Sequence, residues 1–281
     1  TGMGWISSPP AVCLRLLQGI KFWEERIVKA YVFDLDGTVY LGNTLLPGAK
    51  EAIGKIREEG KRLLFLSNNP LRTRGDYVQK LAGLGISIVE AEILNSAYVL
   101  CQHLRKIEPG AVVYPIGEAA LKLELQEHGF TISEDPEKIR YVIASFDRTF
   151  AYPKLQIALA AIKQGAHFIA TNPDRTCPVE DGELPDAGAV IGAIEGMTGK
   201  KVEWVAGKPS RIMAEAVVKH LDLEPEEILM VGDRLQTDIA MGKHGFKTAL
   251  VLSGVTQESD LKTSPYRPDY CLAGIWELKP E

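Results

Sequence analysis

With 281 residues, 46% of them hydrophobic and 25% charged, the chain has apolar material for two cores, and its composition excludes disorder or low complexity. A formal charge of -5 argues against a nucleic-acid partner, which calls for a basic balance or stripe, and favours a small molecule. Cys13, Cys101, Cys177 and Cys271 lie far apart with no Cys-x-x-Cys pair, and the histidines show no metal-ligand spacing, so a zinc or dithiol site is not expected.

Taken in chain order, "AVCLRLLQGI" is too short for a membrane span and is interrupted by Arg15, and no positive charge precedes it as a secretory signal requires. The expectation is a cytoplasmic protein, with residues 1–27 forming an extra amino-terminal helical segment through "KFWEERIVKA". "KAYVF" reads as the first buried strand and runs into Asp34, Leu35, Asp36 and Gly37. "PGAKEAIGKIREEG" follows as a helix, with Pro47 near its start, Ala49, Ala52, Ile53 and Ile56 on one face, and Gly60 as its stop. "KRLLFLS" is a second strand, ending at Ser67 and Asn68.

Between about Asn95 and Lys200 the alternation repeats as "AVVYPIG", "EAALKLELQEHG", "RYVIASF", "PKLQIALAAIKQG" and "AHFIAT". Three more strands come later in "VEWVAG", "EILMVGD" and "KTALVLSG". Strands alternating with helices imply an α/β fold with a mostly parallel sheet. We expect a discontinuous core, residues 28–94 and 201–281, with an α/β unit over residues 95–200 inserted into it. Neither a Gly-x-x-x-x-Gly-Lys phosphate loop nor a Gly-x-Gly-x-x-Gly fingerprint is present.

These strands share a polar or glycine residue at the carboxyl end, the edge at which open parallel sheets bind ligands. The set comprises Asp34 and Asp36, Ser67 and Asn68, Lys208 in "AGKPS", and Asp233 and Asp238 in "VGDRLQTD". Several carboxylates together call for a hard dication with oxygen ligands, and Mg²⁺ suits a few carboxylates plus a phosphate oxygen. Ser67 and Asn68 bring hydrogen-bond donors, and Lys208 brings a fixed positive charge. Each piece alone has a plain structural explanation: Asp-Gly and Asn-Pro make turns, and Ser210 after Lys208-Pro209 can cap a helix. Gly37 lets the backbone turn tightly, and the Thr38 hydroxyl is expected to hold that turn. The ordered combination makes the structural explanation insufficient.

On these residues the sequence resembles the haloacid dehalogenase superfamily phosphatases, matching their four motifs in order from Val28 onward. The insert between "SNNP" and "GKPS" resembles a type II cap. Its stretch "ATNPDRTCPVEDGELPDAGAVIGAIEGMTGK" is similar to the type IIA branch of p-nitrophenylphosphatases and sugar phosphatases. The resemblance implies a Rossmann-like core with an inserted α/β type II cap that decides specificity. It further implies a Mg²⁺-dependent phosphomonoesterase acting on sugar phosphates and p-nitrophenyl phosphate.

By the same resemblance Asp34 is the nucleophile that becomes an aspartyl-phosphate, and Asp36 the general acid and base. Ser67, Asn68 and Lys208 hold the phosphoryl group. Asp34, Asp233 and the main-chain carbonyl of Asp36 ligate Mg²⁺, and Asp238 orients the metal's waters. The loop over residues 172–188 faces the leaving group, with Asn172, Asp174 and Arg175 as substrate contacts. The partner is a small phosphomonoester, with no nucleic acid and no membrane, and the resemblance allows a homodimer through the cap. Two alternatives stay open: a phosphotransferase passing the group from Asp34 to an alcohol, and a phospho-ligand sensor without turnover.

Overall fold

A computed structural model describes residues 28–179 and 182–278. The amino-terminal helical segment expected over residues 1–27 lies outside the described residues. Along the chain come β1 (Ala30–Asp34), β2 (Tyr40–Leu41), β3 (Thr44–Leu45), α1 (Ala49–Glu58), β4 (Arg62–Ser67), α2 (Arg74–Gly83), β5 (Ile93–Asn95) and α3 (Ser96–Ile107). Then follow β6 (Val112–Ile116), α4 (Ala119–Glu127), β7 (Thr131–Ile132), β8 (Tyr141–Ala144), α5 (Tyr152–Lys163), β9 (His167–Ala170), the hairpin β10 (Thr176–Val179) and β11 (Gly182–Pro185), and α6 (Ala187–Thr198). The last elements are β12 (Trp204–Val205), α7 (Arg211–Leu221), β13 (Ile228–Gly232), β14 (Lys247–Val251), α8 (Asp260–Thr263) and β15 (Tyr270–Leu272).

Two compact units emerge among the described residues, 28–63 with 223–278, and 64–222. In the first, β15, β14, β13 and β1 pair in that order, all parallel. Their continuous apolar runs are what parallel strands buried on both faces require. Ala30 to Phe33 and Leu229 to Val231 are almost wholly inaccessible. Helix α1 buries Ala49, Ala52, Ile53 and Ile56, the stripe its sequence spacing predicts. Gly60 follows the helix at φ 69°.

In the second unit β4 and β5 pair in parallel, Ser67 opposite Asn95. A separate five-stranded parallel sheet has the order β12-β9-β8-β6-β7. Short β7 pairs only with Val112 and Val113, so Pro115 sits where β6 has a neighbour on one side, a place that tolerates a missing N–H. Helices α5 and α6 cover the sheet through Ala158, Ala161, Ile162, Val190 and Ile194, packed on Val142, Ala144 and Phe168. Each of the valine, isoleucine and phenylalanine side chains among them contributes about 1.5–3 kcal/mol on burial.

Candidate active site

The first unit gathers the acidic residues. β1 ends at Asp34, and Asp34 and Asp36 are half-buried on either side of buried Leu35. The chain then folds tightly around the Leu35 carbonyl, which accepts from the N–H groups of Thr38, Val39 and Tyr40 at 3.3, 2.9 and 3.2 Å. Gly37 adopts φ 90°, open to glycine at little cost, and its N–H donates to Tyr40 O at 2.8 Å. The expected clasp by the Thr38 hydroxyl does not form. Thr38 Oγ1 is buried with no hydrogen-bond partner among the described residues, because backbone donors already close the turn on Leu35 O. Tyr40 OH reaches Asp36 Oδ2 at 3.4 Å.

Asp233 directly follows β13, and Asp238 stands at the start of a 3₁₀ segment, Ile239–His244. The sequence suggests an ordinary helix there, but Gly242 within it and Gly245 at its end weaken α-helix formation. Val255 N–H donates to Asp233 Oδ2 at 2.7 Å, and Arg234 N–H to Asp238 Oδ2 at 3.0 Å. Ser253 Oγ donates to Gly37 O at 2.9 Å, so the loop after β14 touches both the first turn and Asp233. Asp34, Asp233 and Asp238 each offer a carboxylate oxygen, all within 4.8 Å of one another, with Asp233 and Asp238 buried. Like charges this close, with little water to screen them, fit a hard dication held by oxygen ligands. The Asp36 carboxylate is not part of that trio.

The second unit gathers the polar uncharged residues and the lysine. Ser67 ends β4, and its hydroxyl lies 2.9 Å from Tyr77 OH and accepts from Asn69 N–H at 3.1 Å. Tyr77 OH also reaches Asn69 O at 3.0 Å, so α2 anchors the turn. That helix is started by a reciprocal cap, Thr73 Oγ1 accepting from Asp76 N–H and Asp76 Oδ2 from Thr73 N–H. Asn95 caps α3 through Tyr98 N–H at 2.8 Å, and the next residue, Ser96, donates to Asn68 O at 2.6 Å. Lys208 is 1% exposed, its Nζ 3.3 Å from Leu66 O, and the peptide bond to Pro209 is cis. Ser210 caps α7 through Met213 N–H, as its sequence position suggests.

The Asn68 amide meets Lys208 and Asp174, and Asp174 meets Asn172, so four of the expected residues form one hydrogen-bonded set. Arg175 is exposed. The loop expected over residues 172–188 contains the hairpin β10 and β11, Thr176 opposite Pro185. Two contributors escape sequence reasoning, Tyr77 and Val255, whereas Asp186 falls within the loop expected over residues 172–188 and Ser253-Gly254 end the strand read in "KTALVLSG". Val255 carries a signal only as the neighbour of that Ser-Gly pair, and Tyr77 carries none.

Comparison with known proteins agrees with this chemistry. A haloacid dehalogenase-like hydrolase signature matches residues 31–131, and a HAD-hydrolase-like one matches residues 205–278. A sugar-phosphatase of Bacillus subtilis (strain 168) is 40% identical over 248 residues, 88% of this chain and 90% of its own. An acid sugar phosphatase of Staphylococcus aureus (strain USA300) is 35% identical over 254 residues, 90% of this chain and 97% of its own. Among solved structures, a p-nitrophenyl phosphatase from Archaeoglobus fulgidus superposes with TM-score 0.85 at 33% identity, covering 90% of this chain and 98% of its own.

Proposed function

We propose, from the premise that the chain belongs to the haloacid dehalogenase-like hydrolase family, that it is a Mg²⁺-dependent phosphomonoesterase of small phosphorylated metabolites, sugar phosphates foremost. It is a hydrolytic enzyme of the phosphatase class, as its relatives are named. The observation that carries the metal-dependent reading is the trio Asp34, Asp233 and Asp238, with carboxylate oxygens within 4.8 Å of one another. Asp34 and Asp233, with the main-chain carbonyl of Asp36, would hold Mg²⁺, and Asp238 would orient its waters. When bound, the ion neutralises charge on the phosphoryl oxygens.

Asp34 attacks phosphorus while the bond from phosphorus to the departing alcohol breaks, leaving an aspartyl-phosphate. Asp36 gives its proton to the alcohol oxygen, then takes one from the water that attacks the same phosphorus. Phosphate leaves and the Asp34 carboxylate is restored. Ser67, Asn68 and Lys208 hold the phosphoryl group through both displacements. The insert over residues 95–200 acts as the cap. Within it the loop carrying Asn172, Asp174 and Arg175 selects the leaving group.

No helix among the described residues is long and apolar enough to cross a membrane. A cytoplasmic location belongs to this proposal on the widely spaced cysteines, which form no Cys-x-x-Cys pair. The cap is the surface through which a homodimer would form. Phosphate release from p-nitrophenyl phosphate and from a panel of sugar phosphates tests the whole reading. Release should require Mg²⁺ and vanish in Asp34→Asn. Full activity after chelation, or in that variant, sinks the mechanism, and phosphate appearing on added alcohols in place of water would make the enzyme a phosphotransferase.

A further inference from the structure

An amide side chain has two donor hydrogens and one acceptor oxygen, and Asn68 spends all three groups within the protein. Its Nδ2 donates to Lys208 O at 3.0 Å and to Asp174 Oδ2 at 2.8 Å, and its Oδ1 accepts from Lys208 N–H at 2.7 Å. One side chain therefore straps both the N–H and the carbonyl of Lys208. Asp174 Oδ2 also accepts from Asn172 Nδ2 at 3.0 Å. Buried Asn172 is itself set by Thr171 Oγ1, which donates to its Oδ1 at 2.8 Å, and by Asp186 Oδ1, which its Nδ2 reaches at 3.0 Å. Asp186 caps α6, and Gly188 N–H holds Asp174 O at 2.8 Å, so the carboxylate is carried on the first turn of that helix.

We propose that Asp174 is a positioning residue for Lys208: its carboxylate fixes the Asn68 amide, and the amide fixes the Lys208 peptide. The inference rests on the phosphatase reading above and assigns Asp174 to the phosphoryl-holding lysine, leaving selection of the leaving group to the other residues of the loop. A carboxylate is a stronger acceptor than a neutral group, so it selects the amide rotamer in which Oδ1 faces Lys208 N–H. Without it the amide is held only by its two hydrogen bonds to the Lys208 peptide, and the anchor that sets where the lysine's ammonium sits is loosened. Misplacement of such a group costs about 10–100-fold in rate. The loss falls on the phosphoryl group, which every substrate shares, and so is blind to the leaving group.

The test compares Asp174→Ala, Asp174→Asn, Asn68→Ala and the double variant Asn68→Ala/Asp174→Ala with wild type. Each is assayed on p-nitrophenyl phosphate and on a sugar phosphate, and each is titrated calorimetrically with inorganic phosphate in the presence of Mg²⁺. Expected are an equal loss of kcat on both substrates of about 10–100-fold in Asp174→Ala, weaker phosphate binding, and no further loss in the double variant. Asp174→Asn keeps an oxygen that can accept from both amides, and should recover most of the activity. A loss confined to the sugar phosphate would make Asp174 a substrate contact and overturn the inference. Additive losses, or unchanged phosphate affinity, would overturn it as well. Wild type that binds phosphate but hydrolyses neither ester refutes the phosphatase reading alone, because the phosphate titrations still report the coupling.

Discussion

Replacing Gly254 by alanine tests how the acidic trio is held. A Cβ at this position would lie 2.1 Å from Asp233 Oδ2 and 2.5 Å from Asp233 Cγ. Restoring ordinary contact demands that the carboxylate retreat by roughly 1–1.5 Å. Asp233 cannot do so and keep the 2.7 Å hydrogen bond from Val255 N–H, whose loss at a buried carboxylate costs about 1–3 kcal/mol. Overpacking adds a similar amount, so the variant should be less stable by about 2–6 kcal/mol. The shift also carries one carboxylate away from Asp34 and Asp238, and Mg²⁺ affinity should fall by about 10–100-fold. Urea denaturation reads the first effect, and the Mg²⁺ dependence of phosphate release reads the second. Gly54→Ala in α1 is the control, since its Cβ meets nothing within 4 Å, and it should stabilise by about 0.5–1 kcal/mol. Wild-type stability together with a wild-type Mg²⁺ midpoint in Gly254→Ala would refute the reasoning.

Tyr77→Phe removes the hydroxyl beside Ser67 Oγ and Asn69 O and should cost about 1–2 kcal/mol in urea denaturation, with a lower kcat through the loosened turn. Arg148, hydrogen-bonded to both carboxylate oxygens of Glu118, holds that carboxyl below its usual range. A depressed folded-state pKa gives stability that is present above the unfolded value of about 4.3 and is lost as pH falls through the folded value. With the arginine half exposed the pair is worth only about 0.5–1 kcal/mol, and Glu118→Gln should melt lower than wild type at pH 7 and converge with it in acid. Glu124 behaves oppositely. Burial raises its carboxyl, with His128 opposing, so its contribution is full below about pH 4.3 and is lost as pH rises through the folded value. Melting curves of Glu124→Gln should therefore gain on wild type as pH rises from 4 towards 7. Burial also pushes the Cys101 thiol far up, whereas Cys177 is half exposed, so alkylation followed by mass spectrometry should label Cys177 well before Cys101.

Local patterns carry most of what the sequence reveals. The stripe Ala49, Ala52, Ile53 and Ile56 needs only the helical period, β1 and β13 need only a run of apolar residues, and the Ser210 cap is read from three neighbouring residues. The hairpin β10 and β11 was hidden because Pro178, Gly182 and Pro185 read as loop chemistry, while its pairing depends on two strands finding each other. Asp34, Asp36, Ser67, Lys208 and Asp233 were legible as strand-end polar residues because a carboxylate or lysine interrupting a buried run is conspicuous in one dimension. Distance in the folded chain is not. That Asp34 joins Asp233 and Asp238 within 4.8 Å, that Gly254 must lack a side chain to admit Asp233, and that Asn68 meets Asp174 across 106 residues are decided only by tertiary packing. Residue identity determines which groups have chemistry to offer, whereas hydrogen bonds and close contacts between remote segments determine which of those groups work together.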